Sequence, residues 1–131
     1  MSSLSISIGG QVTTVQIGNL SPAVQAQLTS AIATINTIQQ SSLLNWAYGN
    51  IFRLVSATRD SNEAIVTASI IWPDGATGTF TTDVASTAFP GAIDAWHATY
   101  VNGSVSHTIT QPAVTRDANG AVIAQPAITI T

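Results

Sequence analysis

The sequence predicts an α+β protein in which an N-terminal extended arm and one long helix precede an antiparallel β-meander of about six strands. A helical period follows Ser21-Pro22, and it changes to two-residue alternation after Asn50. A series of turn sequences then divides the rest of the chain into short strands. At 131 residues the chain is long enough for one core. The predicted regions are residues 1–20, 21–50 and 51–131.

The first region alternates apolar and polar side chains, which predicts an extended arm or a short hairpin. Leu4, Ile6 and Ile8 share one face, and Gly9-Gly10 supplies the turn. The segment Met1–Ser5 has neither a basic stretch nor a continuous apolar core, so we expect no secretory signal.

The helix is predicted from Pro22 to Tyr48, with Ser21 as its N-cap and Gly49-Asn50 at its end. Its apolar residues recur at intervals of four and three, which is the spacing of a coiled-coil seam. We call them the seam residues: Val24, Leu28, Ala31, Ile35 and Ile38. The spacing fails at Ser42, and the apolar residues that follow lie in another phase.

Two interpretations of this helix stay open. In one, an amphipathic helix lies on the protein's own sheet. In the other, the seam residues join three copies, because aliphatic seams without a buried Asn accept trimers. Five seam positions are too few for a self-sufficient coiled coil.

In residues 51–131, two-residue alternation between turn sequences predicts the six strands of the meander. The last two are predicted as Val105–Thr115 and Ala121–Thr131. Pro112 and Pro126 cannot donate backbone hydrogen bonds, so these strands are expected to be edge-like or locally bulged.

One turn sequence occurs twice in this region. Thr58-Arg59-Asp60-Ser61-Asn62 matches Thr115-Arg116-Asp117-Ala118-Asn119, and each copy predicts a hairpin turn. Asp and Asn oxygens in turns also suggest calcium, but a calcium loop needs about six oxygen ligands. Asx turns explain both copies, and we predict no metal site.

The low charge of the chain limits the classes of partner that it is expected to bind. Only 7% of the residues are charged, the net charge is −3, and cysteine is absent. Three arginines form no basic patch, so nucleic acid is a disfavoured partner. The longest uncharged run is interrupted by polar residues, so no membrane contact is expected. A charge-poor surface favours a homo-oligomer, most simply a trimer, in which other subunits cover it.

Catalysis is not expected from these residues. With Asn102-Gly103 as a two-residue turn, His97 and His107 fall on opposite faces of the hairpin and His97 lies opposite Thr108, whereas a three-residue loop would reverse this. No spacing brings together the aspartates that acid/base chemistry would use, which are Asp74, Asp83 and Asp94. We therefore predict no catalytic residue, no cofactor and no enzymatic activity.

Aromatic residues support an alternative function. Trp72, Trp96 and Tyr100 would provide ring faces on which a sugar can stack. Packing in the core or at a subunit interface is the simpler use of these rings. The alternative is a carbohydrate- or receptor-binding β-module whose partner is a cell-surface glycan.

Four segments occur in a suggestive order: Trp72-Pro73-Asp74-Gly75, Gly78–Thr81, Gly91–Trp96 and Thr110–Asp117. From about Thr58 onward the chain resembles small virion-associated proteins of tailed phages and prophages of proteobacteria, either tail-fibre or spike-like or otherwise uncharacterised. The resemblance implies a structural component of the phage particle, made in the host cytoplasm, such as a fibre, spike or decoration protein. Together with the seam and the low charge, we expect such a component to oligomerise, to adhere to a surface and to contact other virion proteins, with the Thr-rich strands facing solvent or a receptor.

Overall fold

The computed structural model describes residues 3–8, 11–16 and 21–131. The N-terminal alternation forms an antiparallel hairpin of β1 (Ser3–Ile8) and β2 (Gln11–Gln16), in which Ser3 lies opposite Gln16. The predicted turn at Gly9-Gly10 lies outside the described residues. The same holds for the apolar side chains of β1, so the prediction that they share one face stays a prediction.

The helix α1 spans Pro22–Tyr48, as the sequence predicts. Ser21 has extended backbone angles, and its Oγ accepts a hydrogen bond of 3.3 Å from the amide of Val24, which satisfies one free amide of the first turn. The helix ends where Asn50 takes the left-handed φ of 51°, a conformation that Asn tolerates better than most residues.

The chain after α1 forms eight further strands. In order they are β3 (Arg53–Arg59), β4 (Ile65–Ile71), β5 (Thr77–Ala85), β6 (Ile93–Asn102), β7 (Val105–Gln111), β8 (Thr115–Arg116), β9 (Val122–Ala124) and β10 (Thr129–Ile130). Six of them form one antiparallel sheet in the order β10-β7-β6-β5-β4-β3. The α+β architecture with a six-strand meander is therefore confirmed.

The C-terminal strands differ from the prediction. The strand predicted as Val105–Thr115 ends at Gln111, and residues 121–131 contain two short strands instead of one. Pro112 and Pro126 lie at these breaks, because a residue without an amide hydrogen cannot extend the ladder. The small hairpin β8–β9 forms a separate two-stranded sheet.

The core lies between one face of the sheet and the end of α1. Leu43 and Ala47 from α1 are buried against residues of β4 to β7. Aromatic rings pack next to one another across this face, with ring centroids 5.5 Å apart for Phe52 and Trp72 and 5.3 Å apart for Phe80 and Trp96. Burial of these rings is a large part of the hydrophobic stabilisation of the domain.

The opposite face of the sheet is covered with hydroxyl groups. A row of cross-strand neighbours crosses all six strands and consists of Thr58, Thr67, Thr81, His97, Thr110 and Thr129. None of these side chains is buried. Strand residues alternate between faces, so the apolar side chains of the same strands point into the core. The Thr-rich strands thus face outward, as the sequence predicts.

Candidate functional site

The two ends of α1 have different surroundings. Leu43 and Ala47, in the last two turns, are buried by the sheet. The seam residues are less covered: Val24 is 43% exposed, Ile38 is 60% exposed, Ala31 is exposed, and Leu28 and Ile35 are half-buried. The end of the helix therefore packs on its own sheet, while its apolar seam remains accessible.

The two apolar faces point in different directions. With 3.6 residues per turn, the seam lies about 120° around the helix axis from Leu43 and Ala47. The change of phase at Ser42 in the sequence marks the place where one face gives way to the other. A helix that only covered its own sheet would keep one apolar face throughout its length.

The helix also lacks charge. No Asp, Glu, Lys or Arg occurs before Arg53, so all 27 residues of α1 are uncharged. The hydroxyl groups of Thr29, Thr34 and Thr37 donate to the carbonyl four residues earlier, at 2.9–3.0 Å. Depletion of charge around exposed aliphatic side chains is typical of an interface core.

A cleft of about 390 Å³ lies between α1 and the β6–β7 hairpin, and we call it the helix–hairpin cleft. Its helix wall includes Asn36, Gln39, Leu43 and Trp46, and its sheet wall includes Asp74, Tyr100, Val105 and His107. The cleft forms because α1 touches the sheet only through its last turns. Its volume falls within the ordinary range for small-ligand sites.

The wall of the cleft is fixed by hydrogen bonds. The hydroxyl of Tyr100 donates to Asp74 Oδ2 at 2.5 Å, and Asp74 Oδ1 accepts from the amide of Ala76 at 3.0 Å. Burial raises the pKa of Tyr100, and the bond to Asp74 raises it further. Tyr100 is therefore neutral and held in one orientation. The His107 ring centroid lies 6.1 Å from that of Tyr100.

The histidines lie on opposite faces of the sheet, as predicted, but their partners differ. His107 lies opposite Tyr100 and His97 lies opposite Thr110, not Thr108. The turn is Gly103-Ser104, one residue later than the prediction, and Gly103 takes a φ of 60° that suits glycine at this position.

Each of the three aspartates has a different side-chain partner, and no two of them share one. Asp74 bonds Tyr100, Asp83 Oδ1 lies 2.7 Å from Nδ1 of His97, and Asp94 accepts from Arg116 at 2.7 Å. Within the described ranges, no three His, Cys, Asp or Glu side chains come together as a metal site.

The repeated turns are Asx turns. Asp60 Oδ1 accepts from the amides of Asn62 and Ala64 at 2.8 and 3.0 Å. Asp117 Oδ1 accepts in the same way from Asn119 and Ala121 at 2.9 Å. The carboxylates thus satisfy turn backbone, which agrees with the structural explanation of the repeat.

The predicted aromatic platform is not assembled. Trp72 is only 1% exposed, and its indole Nε1 donates to the Thr99 carbonyl at 2.9 Å. Trp96 is also buried in the core, next to Phe80. Of the three predicted stacking residues, Tyr100 alone lines the helix–hairpin cleft. Alternation cannot show which sheet face is covered, and so it could not separate a core ring from a free one.

Trp46 is the aromatic residue of the cleft that the predicted set omitted. It is half-buried on α1 and lines the cleft together with Tyr100 and His107. Around the helix axis it lies between the seam and the Leu43–Ala47 face, about 40° from the former and about 80° from the latter, so spacing alone does not place it toward the sheet.

Comparison with known proteins gives no family: no family model, curated protein or solved structure matches the chain. Among the described residues, no helix has both the length and the hydropathy required to cross a bilayer.

Proposed function

We propose that this protein is a non-catalytic structural component of a phage virion, such as a fibre, spike or decoration protein. It associates with copies of itself through the seam residues of α1, most simply as a trimer, and presents the β-domain for adhesion to a surface. The observation that carries the proposal is the uncovered and uncharged apolar seam.

A second copy is the occupant that fits this seam. The heptad spacing of the seam residues matches an identical helix, because like spacings interdigitate as knobs into holes. Full burial of each Val, Leu or Ile contributes about 1.5–3 kcal/mol, which offsets the loss of rotational and translational freedom on association. The absence of charge on α1 removes the repulsion that would otherwise oppose a parallel alignment.

The β-domain supplies the adhesive part of the proposal. Its outer face carries hydroxyl groups on all six strands and remains free of cover within the described chain. The virion assignment itself rests on the resemblance of the second half of the chain. Mass spectrometry of purified phage particles from cells that carry the gene tests it, and absence from the particles contradicts it.

Ile35→Asp tests the seam. In an oligomer the substitution buries an unpaired charge, so we expect it to dissociate the assembly. The measurement is the absolute mass by light scattering on a sizing column, with about three times 13.5 kDa expected for the wild type and 13.5 kDa for the variant.

Ala33→Asp is the matched control, because residue 33 is exposed and lies about 160° around the helix from Ile35. It should keep the wild-type mass. A monomeric wild type refutes self-association. An Ile35→Asp variant that keeps the oligomeric mass refutes the seam as its interface.

A further inference from the structure

The helix–hairpin cleft has a chemistry that self-association does not explain. We propose that it binds a neutral saccharide of one or two rings. Trp46 and His107 provide the aromatic contacts, and the side-chain amides of Asn36 and Gln39 on α1 provide hydrogen bonds. All of its lining residues come from one chain, and one of them, Ile38, is also a seam residue, so the cleft borders the surface that the proposed assembly uses.

The aromatic rings of the cleft are anchored and yet accessible. Trp46 packs against the core and is half-buried, so part of its indole remains open to the cleft. His107 is also half-buried, and the Tyr100 ring behind it restricts its movement. Rigid rings with a free face suit the apolar C–H face of a sugar and lose little entropy on binding.

Several polar groups of the cleft are free to bind a ligand. Across the described residues, no protein group hydrogen-bonds the imidazole of His107 or the side-chain amides of Asn36 and Gln39. The buried amide of Gln111, away from the cleft, instead bonds the carbonyls of Pro112 and Pro126. An amide and an imidazole both donate and accept, as a sugar hydroxyl requires.

The charges of the cleft select a neutral ligand. Asp74 is the charged residue of the lining, and both of its oxygens already accept hydrogen bonds. An acidic sugar would bring a second negative charge close to this carboxylate, and no Lys or Arg lines the cleft to compensate. Leu43 and Val105 provide apolar walls that exclude water from the contacts.

The test is a titration of the full-length protein with maltose, cellobiose and chitobiose, followed by tryptophan fluorescence and by saturation-transfer NMR. N-acetylneuraminic acid serves as the acidic comparison. We expect at least one neutral disaccharide to change the tryptophan fluorescence of the protein and the acidic sugar to leave it unchanged. No binding of any neutral sugar up to about 10 mM, a concentration above the Kd of weak specific sites, overturns the proposal.

Two variants locate the site. His107→Ala should weaken binding about tenfold, the loss expected for one neutral contact of this kind. His97→Ala, on the opposite face of the sheet, should bind as the wild type does. Gln39→Ala, at a half-buried position of the helix wall, is a second variant that should also weaken binding, and thermal melts confirm that each variant is folded. Equal losses in the two histidine variants, or binding of the acidic sugar alone, overturn the assignment.

The monomer formed by Ile35→Asp separates this inference from the proposed assembly. Because every lining residue comes from a single chain and dissociation can only uncover Ile38, that variant should bind the same sugar at least as tightly as the wild type does. Binding that disappears with the oligomer would overturn a site made by one chain.

Discussion

Arg116 and Arg59 occupy equivalent positions in the two repeated turns, and we expect very different costs when they are replaced. In each copy the guanidinium donates to the carbonyl four residues later, at 2.6 Å for Arg59 and Glu63 and at 2.8 Å for Arg116 and Gly120. The local turn is therefore the same, and Arg59→Leu is a matched control for Arg116→Leu.

Arg116 differs because it also ties the small β8–β9 hairpin to β6. Its Nε donates to Asp94 Oδ1 at 2.7 Å and its Nη2 to the Ile93 carbonyl at 3.0 Å. The side chains of this ion pair are only 17% and 21% exposed, so water can replace little of what is lost. Arg59 lies on the exposed edge strand β3.

The expected loss for Arg116→Leu is about 2–3 kcal/mol, since all three hydrogen bonds of the guanidinium disappear and a partly buried carboxylate loses its partner. For Arg59→Leu it is less than about 1 kcal/mol, because its bond is exposed to water. At about 2.1 cal/mol/K per residue, these losses lower the Tm by about 7–11 °C for Arg116→Leu and less than about 4 °C for Arg59→Leu.

The assay is thermal and urea unfolding followed by tryptophan fluorescence, at one protein concentration for all variants. Asp94→Leu and the double variant complete a cycle that isolates the coupling between Arg116 and Asp94. Equal decreases in Tm for Arg116→Leu and Arg59→Leu would refute the reasoning, because only the contacts to β6 distinguish the two sites.

Two further predictions concern Tyr100 and Gly78. The raised pKa of Tyr100 means that the unfolded chain loses this proton first, so the free energy of unfolding is unaffected by Tyr100 below about pH 10 and falls above it. Tyr100→Phe should therefore show a smaller decrease in Tm between about pH 9 and pH 11 than the wild type, and an equal decrease contradicts the assignment. Gly78→Ala would place a Cβ 1.9 Å from the Thr99 carbonyl oxygen, so we expect a loss of about 3 kcal/mol or more in urea unfolding. Gly75→Ala is its control, because an added Cβ there meets no atom within 4 Å and only the φ of 90° is strained for alanine. The expected cost at Gly75 is therefore about 1–2 kcal/mol. A smaller loss for Gly78→Ala than for Gly75→Ala would contradict the clash.

Local signals located most elements of the fold. The Ser21-Pro22 start and the Gly49-Asn50 end bracket α1, because capping and left-handed backbone depend on a few neighbouring residues. The two Asx turns follow equally from Asp and Asn at fixed offsets. The register of β6 and β7 did not follow, since Asn102 and Gly103 can each begin a tight turn and the neighbouring strands decide between them.

The candidate site was much less accessible to sequence reasoning. Trp46, Tyr100 and His107 are far apart in the chain, and no motif links them. The sequence offers Trp72, Trp96 and Tyr100 as ring faces for a sugar, but in the folded domain all three belong to the core and Tyr100 alone among them also lines the cleft.

The sequence by itself determined the helix, the order of the strands, the hydroxyl-rich face and the uncharged apolar seam, because spacing and turn chemistry are properties of short segments. Only the tertiary structure decided where α1 leaves the sheet. That divergence buries Leu43 and Ala47, leaves the seam uncovered and opens the helix–hairpin cleft. The physical reason is that periodicity specifies which side chains share a face, whereas burial depends on what a distant part of the chain brings against that face.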